Sequence, residues 1–360
     1  MRNILAVLLG ILLVVGFSVA FKHNSIPAEQ SPLGGATLPV VSSTPPVVSK
    51  TPTESLFVPY WAIGREQIAS NSSSELIYFG ITPVESGINK NEAGYKNLQT
   101  FVKASGSYKK QLVLRMVDSD MNFIILKNKN NQEKIIRETL QIALENGFSG
   151  VILDLEISSL PFESVMSQIN EFVAVLHANG KKQDMPISIA LYGDVFYRIR
   201  PYDVVTLAKN TDGVYIMTYD FHKVRGNPGP NFPLSGKDRF GYDLNTMMDA
   251  FLKFYPKEKI TIVFGMYGYD WIIDSKSSSS QAAQAVTLNQ AKNKFLSSCN
   301  YKDCVVVRDA ESAEMKITYT DSANDHHEVW LEDTESVAKK KEVLKTKGIT
   351  ATSLWAYSYF

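Results

Sequence analysis

Eight short apolar runs separated by helix-length stretches constrain the fold of this chain more than any other feature. They fall at 56–61, 76–82, 111–117, 150–156, 186–191, 213–219, 260–267 and 350–356. Several are near-continuous Val, Ile, Leu and Phe, as parallel strands buried on both faces require. The stretches between them are amphipathic. Residues 133–146 are followed by Gly147, 162–179 by Gly180 and 336–347 by Gly348, and each glycine reads as a helix stop. Eight strands with intervening helices predict an α/β fold, a (β/α)8 barrel. One stretch, 272–330, breaks the rhythm. It holds a serine-rich loop, a helix expected over 287–296, two cysteines and a strand expected over 314–320. It reads as a small α+β insertion between the seventh and eighth strands. Setting it aside leaves about 250 residues for the barrel, the usual size.

The N-terminal part has a different character. Residues 4–21 form an apolar run flanked by Arg2, Lys22 and His23. It is long for a signal-peptide core and just long enough to span a bilayer, and Ser18-Val19-Ala20 would serve as a cleavage site. Residues 1–21 are therefore either a cleaved signal peptide or a membrane anchor, with the length favouring the anchor. In both cases the body is extracytoplasmic. Residues 22–55 are rich in Pro, Ser, Thr and Val, lack the apolar content to offset ordering entropy, and read as an extended tether. The folded body is expected over 56–360. Acidic and basic residues balance at 37 each, which points to no nucleic-acid partner. In an exported chain Cys299 and Cys304 are expected to form one disulfide. His326 and His327 are adjacent and read as two solvated side chains diverging on a strand. The sequence carries no phosphate-cradling glycine loop and no metal-ligand cluster, so neither cofactor nor metal is implied.

In such a barrel, reacting groups sit where strands end and loops begin. The fourth strand ends in Asp154-Leu155-Glu156, whose two carboxylates share a face because strand side chains alternate. Adjacent carboxylates oppose each other's ionisation, so one can remain a general acid. The other strand ends add Tyr60 and Trp61, then Met217, Tyr219 and Asp220, then Tyr267 and Trp271, and finally Trp355. Aromatic rings among a few carboxylates suit a sugar cleft, where flat faces stack on pyranose rings.

On these residues the chain resembles glycoside hydrolase family 18, the chitinase-like family, and within it bacterial spore-cortex and cell-wall members. The family's Asp-Gly-x-Asp-x-Asp-x-Glu signature aligns with Ser149-Gly150-Val151-Ile152-Leu153-Asp154-Leu155-Glu156. Met217-Thr218-Tyr219-Asp220 is similar to its strand-six motif, the stretch 265–271 to its strand-seven motif and Trp355 to its strand-eight tryptophan. The resemblance implies cleavage of β-linked N-acetylglucosamine polymers, either chitin or peptidoglycan, with the substrate's acetamido oxygen as nucleophile. It implies Glu156 as general acid and then base, Asp154 as the acetamido-orienting group and Tyr219 as a donor to the acetamido oxygen. Asp220 would hold the distorted sugar, Trp355 would be its floor, and Tyr267 and Trp271 its flanks. Two departures stand out: Ser149 and Ile152 replace the first two acids. Without an acidic neighbour at 152, Asp154 is expected to remain a fixed anion. Strand three carries Arg115-Met116-Val117-Asp118 in place of the family's Ser-x-Gly-Gly, reshaping one cleft wall. A non-catalytic sugar-binding module and an envelope scaffold are the competing readings.

Overall fold

The computed structural model describes residues 53–64, 68 and 73–360. The expected signal or anchor and nearly all of the tether lie outside the described residues. Eight parallel strands close into a barrel. They are β1 (Glu54–Pro59), β2 (Glu75–Ile81), β3 (Lys109–Met116), β4 (Val151–Leu155), β5 (Ile187–Tyr192), β6 (Gly213–Thr218) and β7 (Ile260–Gly265), with Thr352–Trp355 as the eighth. Between β7 and the eighth strand lies a separate five-stranded sheet. Its strands are β8 (Tyr267–Ile273), β9 (Gln284–Thr287), β10 (Lys302–Arg308), β11 (Met315–Thr320) and β12 (His326–Leu331), which makes Thr352–Trp355 β13. The barrel closes in the order β1-β13-β7-β6-β5-β4-β3-β2, and the inserted sheet runs β9-β8-β12-β11-β10.

The two-residue period of the strands divides the core in two. Inward positions Phe57, Ile77, Phe79, Val113, Ile152, Ala190, Tyr215 and Val263 fill the barrel interior. Their neighbours Leu56, Leu76, Leu112, Leu114, Val151, Leu153 and Val214 face out and pack in the larger cluster that includes the helical residues. Four helices of that layer are α1 (Ala93–Ala104), α2 (Ser119–Leu126), α3 (Lys129–Glu145) and α4 (Glu163–Lys181). Asp118 caps α2 by accepting from the N–H groups of Asp120 and Met121, and Asn128 caps α3 from Asn131. Each such cap contributes about 1 kcal/mol. A later helix, α5 (Thr334–Thr346), opens on a capping box between Asp333 and Ser336 and leads to β13.

Gly147 and Gly348 take positive φ just beyond α3 and α5, as helix stops do. Gly180 does not stop α4, which runs on to Lys181. Its role is proximity instead: a Cβ there would sit 2.6 Å from Ile187 Cγ1 and 2.7 Å from the Met185 carbonyl oxygen. The seventh barrel strand also ends two residues earlier than expected, at Gly265, so the inserted sheet begins at Tyr267. The aromatic run that follows reads as one strand with β7, and only the tertiary break at Met266 separates them. Strand β10 was not expected, because its Val305, Val306 and Val307 are solvent-facing and show no alternation. Cys299 and Cys304 are joined as a disulfide beside it. His327 corrects another expectation. It is not solvated: its ring stacks on Tyr319 with centroids 4.4 Å apart, and its Nδ1 lies 2.8 Å from Asp270 Oδ1.

Candidate active site

A cavity of about 260 Å³ opens at the C-terminal ends of the barrel strands. Phe57, Phe79, Ile152, Ala190 and Val263 form its apolar base, with the polar groups above them. Inward alternation on β4 stacks Ile152, Asp154 and Glu156 in ascending order. Ile152 is wholly buried and Asp154 nearly so. Glu156, one residue past the strand, is half-buried and tied at both backbone ends: its N–H donates to Met116 O at 2.8 Å, and Asn122 Nδ2 donates to its carbonyl at 2.8 Å. The α2 helix that Asp118 caps thus sets the height of Glu156.

Burial is the largest influence on both carboxyls. It pushes Asp154 well above the usual carboxylate range, Glu156 reinforces the shift, and Arg115 opposes it. Burial thus works against the fixed anion expected for Asp154, while Arg115 works for it. The apolar layer that includes Ile152 removes an acidic neighbour, but it also removes the solvation an anion needs. Asp154 Oδ1 is buried and has no hydrogen-bond partner among the described residues. For Glu156, burial again raises the pKa, while a 2.5 Å hydrogen bond donated by Tyr192 to Oε2 lowers it. Asp220 then raises it, and Lys223 and Arg200 lower it.

Tyr219 lies beside Trp355, with ring centroids 6.4 Å apart and planes 25° from parallel. Trp355 also meets Phe57, Phe79 and Trp61. Burial, together with the neighbouring carboxyls, raises the Tyr219 phenol well above its ordinary value, so it stays a donor. Asp220 sits at φ 57° in the left-handed region, a conformation that asparagine and aspartate tolerate better than most residues. Three side chains hold it there. Tyr267 and Tyr269 donate to its Oδ1 at 2.5 and 2.7 Å, and Asn231 Oδ1 accepts from its N–H at 2.8 Å. Asn231 is itself fixed, its amide donating to the carbonyls of Gly265 and Tyr267. The N–H groups of Asn231 and Phe232 donate to Glu314, just before β11. Glu314 in turn accepts from Lys340 on α5, and Lys340 also donates to Glu332. All three of these ionisable side chains are 0% exposed. The inserted sheet thus supplies Tyr267 and Tyr269, and Glu314 just before β11 fixes the loop residue Asn231 that completes the clamp on Asp220.

Of the residues singled out from sequence, Asp154, Glu156, Met217, Tyr219, Asp220, Tyr267 and Trp355 all line the cavity. Trp61 stands at its rim, 50% exposed, in edge contact with Trp355. Tyr60 does not line the cavity; its ring lies under the Arg115 guanidinium, 5.3 Å from centroid to Cζ. Trp271 is fully enclosed in the apolar cluster of the inserted sheet, so it is a packing residue and not a cleft wall. Sequence reasoning missed Tyr192, Lys223 and Asn231. Tyr192 was within reach: it shares the inward parity of Ala190, one residue beyond the expected end of β5. Lys223 and Asn231 lie on the irregular loop after β6, where no period announces a direction. On strand three Arg115 pairs with Glu92 at 2.5 Å and receives Asp154 as its register partner on β4.

The sequence profile of Glycosyl hydrolases family 18 matches residues 61–359. The chain is 22% identical over 310 residues to the cortical fragment-lytic enzyme of Bacillus subtilis, covering 81% of this chain and 66% of that protein. It is 25% identical over 254 residues to an endochitinase of Brugia malayi, covering 65% and 50%. The chain spans between about half and two thirds of the length of the curated relatives it matches. Among solved structures, the Group IV chitinase of Ostrinia furnacalis superposes with a TM-score of 0.72 at 16% identity, covering 86% of this chain and 93% of that one. The spore cortex-lytic enzyme SleL of Bacillus cereus superposes at 0.65 and 20% identity, covering 86% and 71%.

Proposed function

The chain belongs to glycosyl hydrolase family 18 and is a glycosidase, and from that premise we propose that it cleaves β-linked N-acetylglucosamine glycans of chitin or peptidoglycan type with Glu156 as acid. The observation that carries the proposal is the pairing of two burial-raised carboxyls, Asp154 and Glu156, over an apolar base in one cavity. A carboxyl kept protonated near neutrality is what leaving-group protonation needs. In the first step the glycosidic C1–O bond breaks as Glu156 passes its proton to the departing oxygen. The substrate's acetamido oxygen closes on C1, giving an oxazolinium and leaving Glu156 a carboxylate. In the second step that carboxylate takes a proton from water, whose oxygen attacks C1 and reopens the ring with net retention.

The surrounding groups suit this sequence. Asp154 Oδ1, without a partner, is available to the acetamido N–H. The Tyr219 phenol is a donor for the acetamido oxygen, and Trp355 offers a flat apolar face under the ring. Asp220, clamped by two tyrosines and Asn231, holds a fixed acceptor toward the sugar hydroxyls. Turnover of chitooligosaccharides and of purified peptidoglycan by the wild type and by Glu156→Gln tests the reading. The variant is expected to lose about 10²- to 10⁴-fold, the range for a general acid. An undiminished rate in the variant would remove Glu156 from the chemistry. No turnover by either protein, with saturable glycan binding, would favour a binding module. The extracytoplasmic location rests on the apolar run 4–21; cell fractionation and N-terminal sequencing of the mature protein test it and separate anchor from cleaved signal.

A further inference from the structure

The cations around the cleft are not equivalent. Arg115 is paired with Glu92 at 2.5 Å. Arg198 and Arg200 share Asp194, with Arg200 Nη2 at 2.6 Å from it. Lys223 also lines the cavity, yet among the described residues its ammonium pairs with no carboxylate. The carboxylates around it have other partners: Asp194 the two arginines, Asp220 Oδ1 two tyrosine hydroxyls, and Glu156 Oε2 the Tyr192 hydroxyl. Burial and the neighbouring Arg200 depress the Lys223 pKa, so the bare ammonium sits in an environment that an incoming anion would relieve.

Its position puts it within reach of a glycan in the cleft. Trp355 and Tyr219 lie toward the β13 and β6 side, where the sugar undergoing attack has its floor. Tyr192, which holds Glu156, ends β5 next to β6, and Lys223 Nζ stands 5.7 Å from its ring centroid. Lys223 is thus beside the residue that holds Glu156, within the cavity that takes the glycan. A neutral N-acetylglucosamine there gives an ammonium nothing to neutralise. We propose that Lys223 is a specificity-determining residue that pairs with a carboxylate on a sugar bound in the cleft, so that the preferred glycan is an anionic amino-sugar chain, as one bearing the lactyl ether of N-acetylmuramic acid is. This rests on the reading of the cleft given above.

The test uses two probes: a tetrasaccharide of alternating N-acetylglucosamine and N-acetylmuramic acid, and the same chain with its lactyl carboxylates reduced to alcohols. Affinities are measured by calorimetry on the full chain in a Glu156→Gln background, which prevents turnover. The acidic form is expected to bind about five- to tenfold more tightly, as a partly buried charge pair gives. Lys223→Gln is expected to abolish the preference and Lys223→Arg to keep it. Equal affinity for the two probes, or a preference that survives Lys223→Gln, overturns the assignment while leaving the glycosidase reading intact. Failure to bind either probe, with no cleavage of either by the wild type, overturns both.

Discussion

Replacing Glu332 by glutamine isolates the electrostatic cost of the buried cluster behind the cleft. Burial, opposed by Lys340 and reinforced by Glu314, pushes the Glu332 carboxyl up to about 8 from an ordinary 4.5. At neutral pH the Glu332 carboxyl is therefore mostly protonated beside the Lys340 ammonium. The sign of the linkage follows. A carboxyl raised in the folded state contributes stability that is complete below about pH 4.5 and is lost as pH rises to about 8. The slope is roughly 1.4 kcal/mol per pH unit, so the loss across the window is on the order of 5 kcal/mol. Glutamine keeps the shape and removes the proton. Its carbonyl can accept from Lys340, and its amide can donate to Ser336 Oγ, which itself donates to Asp333 O at 2.9 Å. The melting temperatures of wild type and Glu332→Gln should thus lie close together near pH 5. By pH 8.5 they should separate by roughly 10 °C with the variant higher, at about 2–4 °C per kcal/mol. Differential scanning calorimetry across that range measures it. Other titrating groups contribute equally to both proteins and cancel in the difference, so parallel curves would refute the protonated-carboxyl description of the cluster.

Two further outcomes bear on the cleft. Tyr192→Phe removes the donor that lowers the Glu156 pKa, so the alkaline limb of kcat/KM should move to higher pH; a limb that moves down or stays fixed would separate Tyr192 from Glu156. Asn231→Ala orphans the Asp220 N–H, which at about 1–3 kcal/mol for one buried group should cut kcat/KM by about 10- to 100-fold. Steady-state kinetics with a thermal-shift control distinguishes this from unfolding.

The barrel was legible because parallel strands buried on both faces leave a plain trace of β-branched and aromatic runs, and β4 carried its acids at a spacing that fixes their direction. What could not be read depends on contacts distant in sequence. Asp154 and Glu156 were visible as a pair, but the burial that raises the Asp154 pKa depends on the apolar layer to which Phe57, Phe79 and Val263 contribute from other strands. Trp271 was expected in the cleft from its place after the seventh strand and from the resemblance of 265–271 to the family's strand-seven motif. It is excluded by Trp330 and Ala283, which cover it from β12 and the loop before β9. The burial of Glu314, Glu332 and Lys340 had no local sign at all, since charged residues at such spacing ordinarily face water.

The junction at Met266 has a mechanical consequence. A single residue separates the last barrel position, Gly265, from the first of the inserted sheet, Tyr267. Met266 is pinned on both sides, its N–H donating to Trp355 O at 2.6 Å and its carbonyl accepting from Leu288 N–H at 3.2 Å. A joint this short and this bonded cannot act as a hinge. The wall that the inserted sheet adds to the cleft is accordingly a fixed jaw, with its aperture set at folding. A ligand entering the cleft therefore meets that wall already in place, and its exchange does not wait on movement of the inserted sheet.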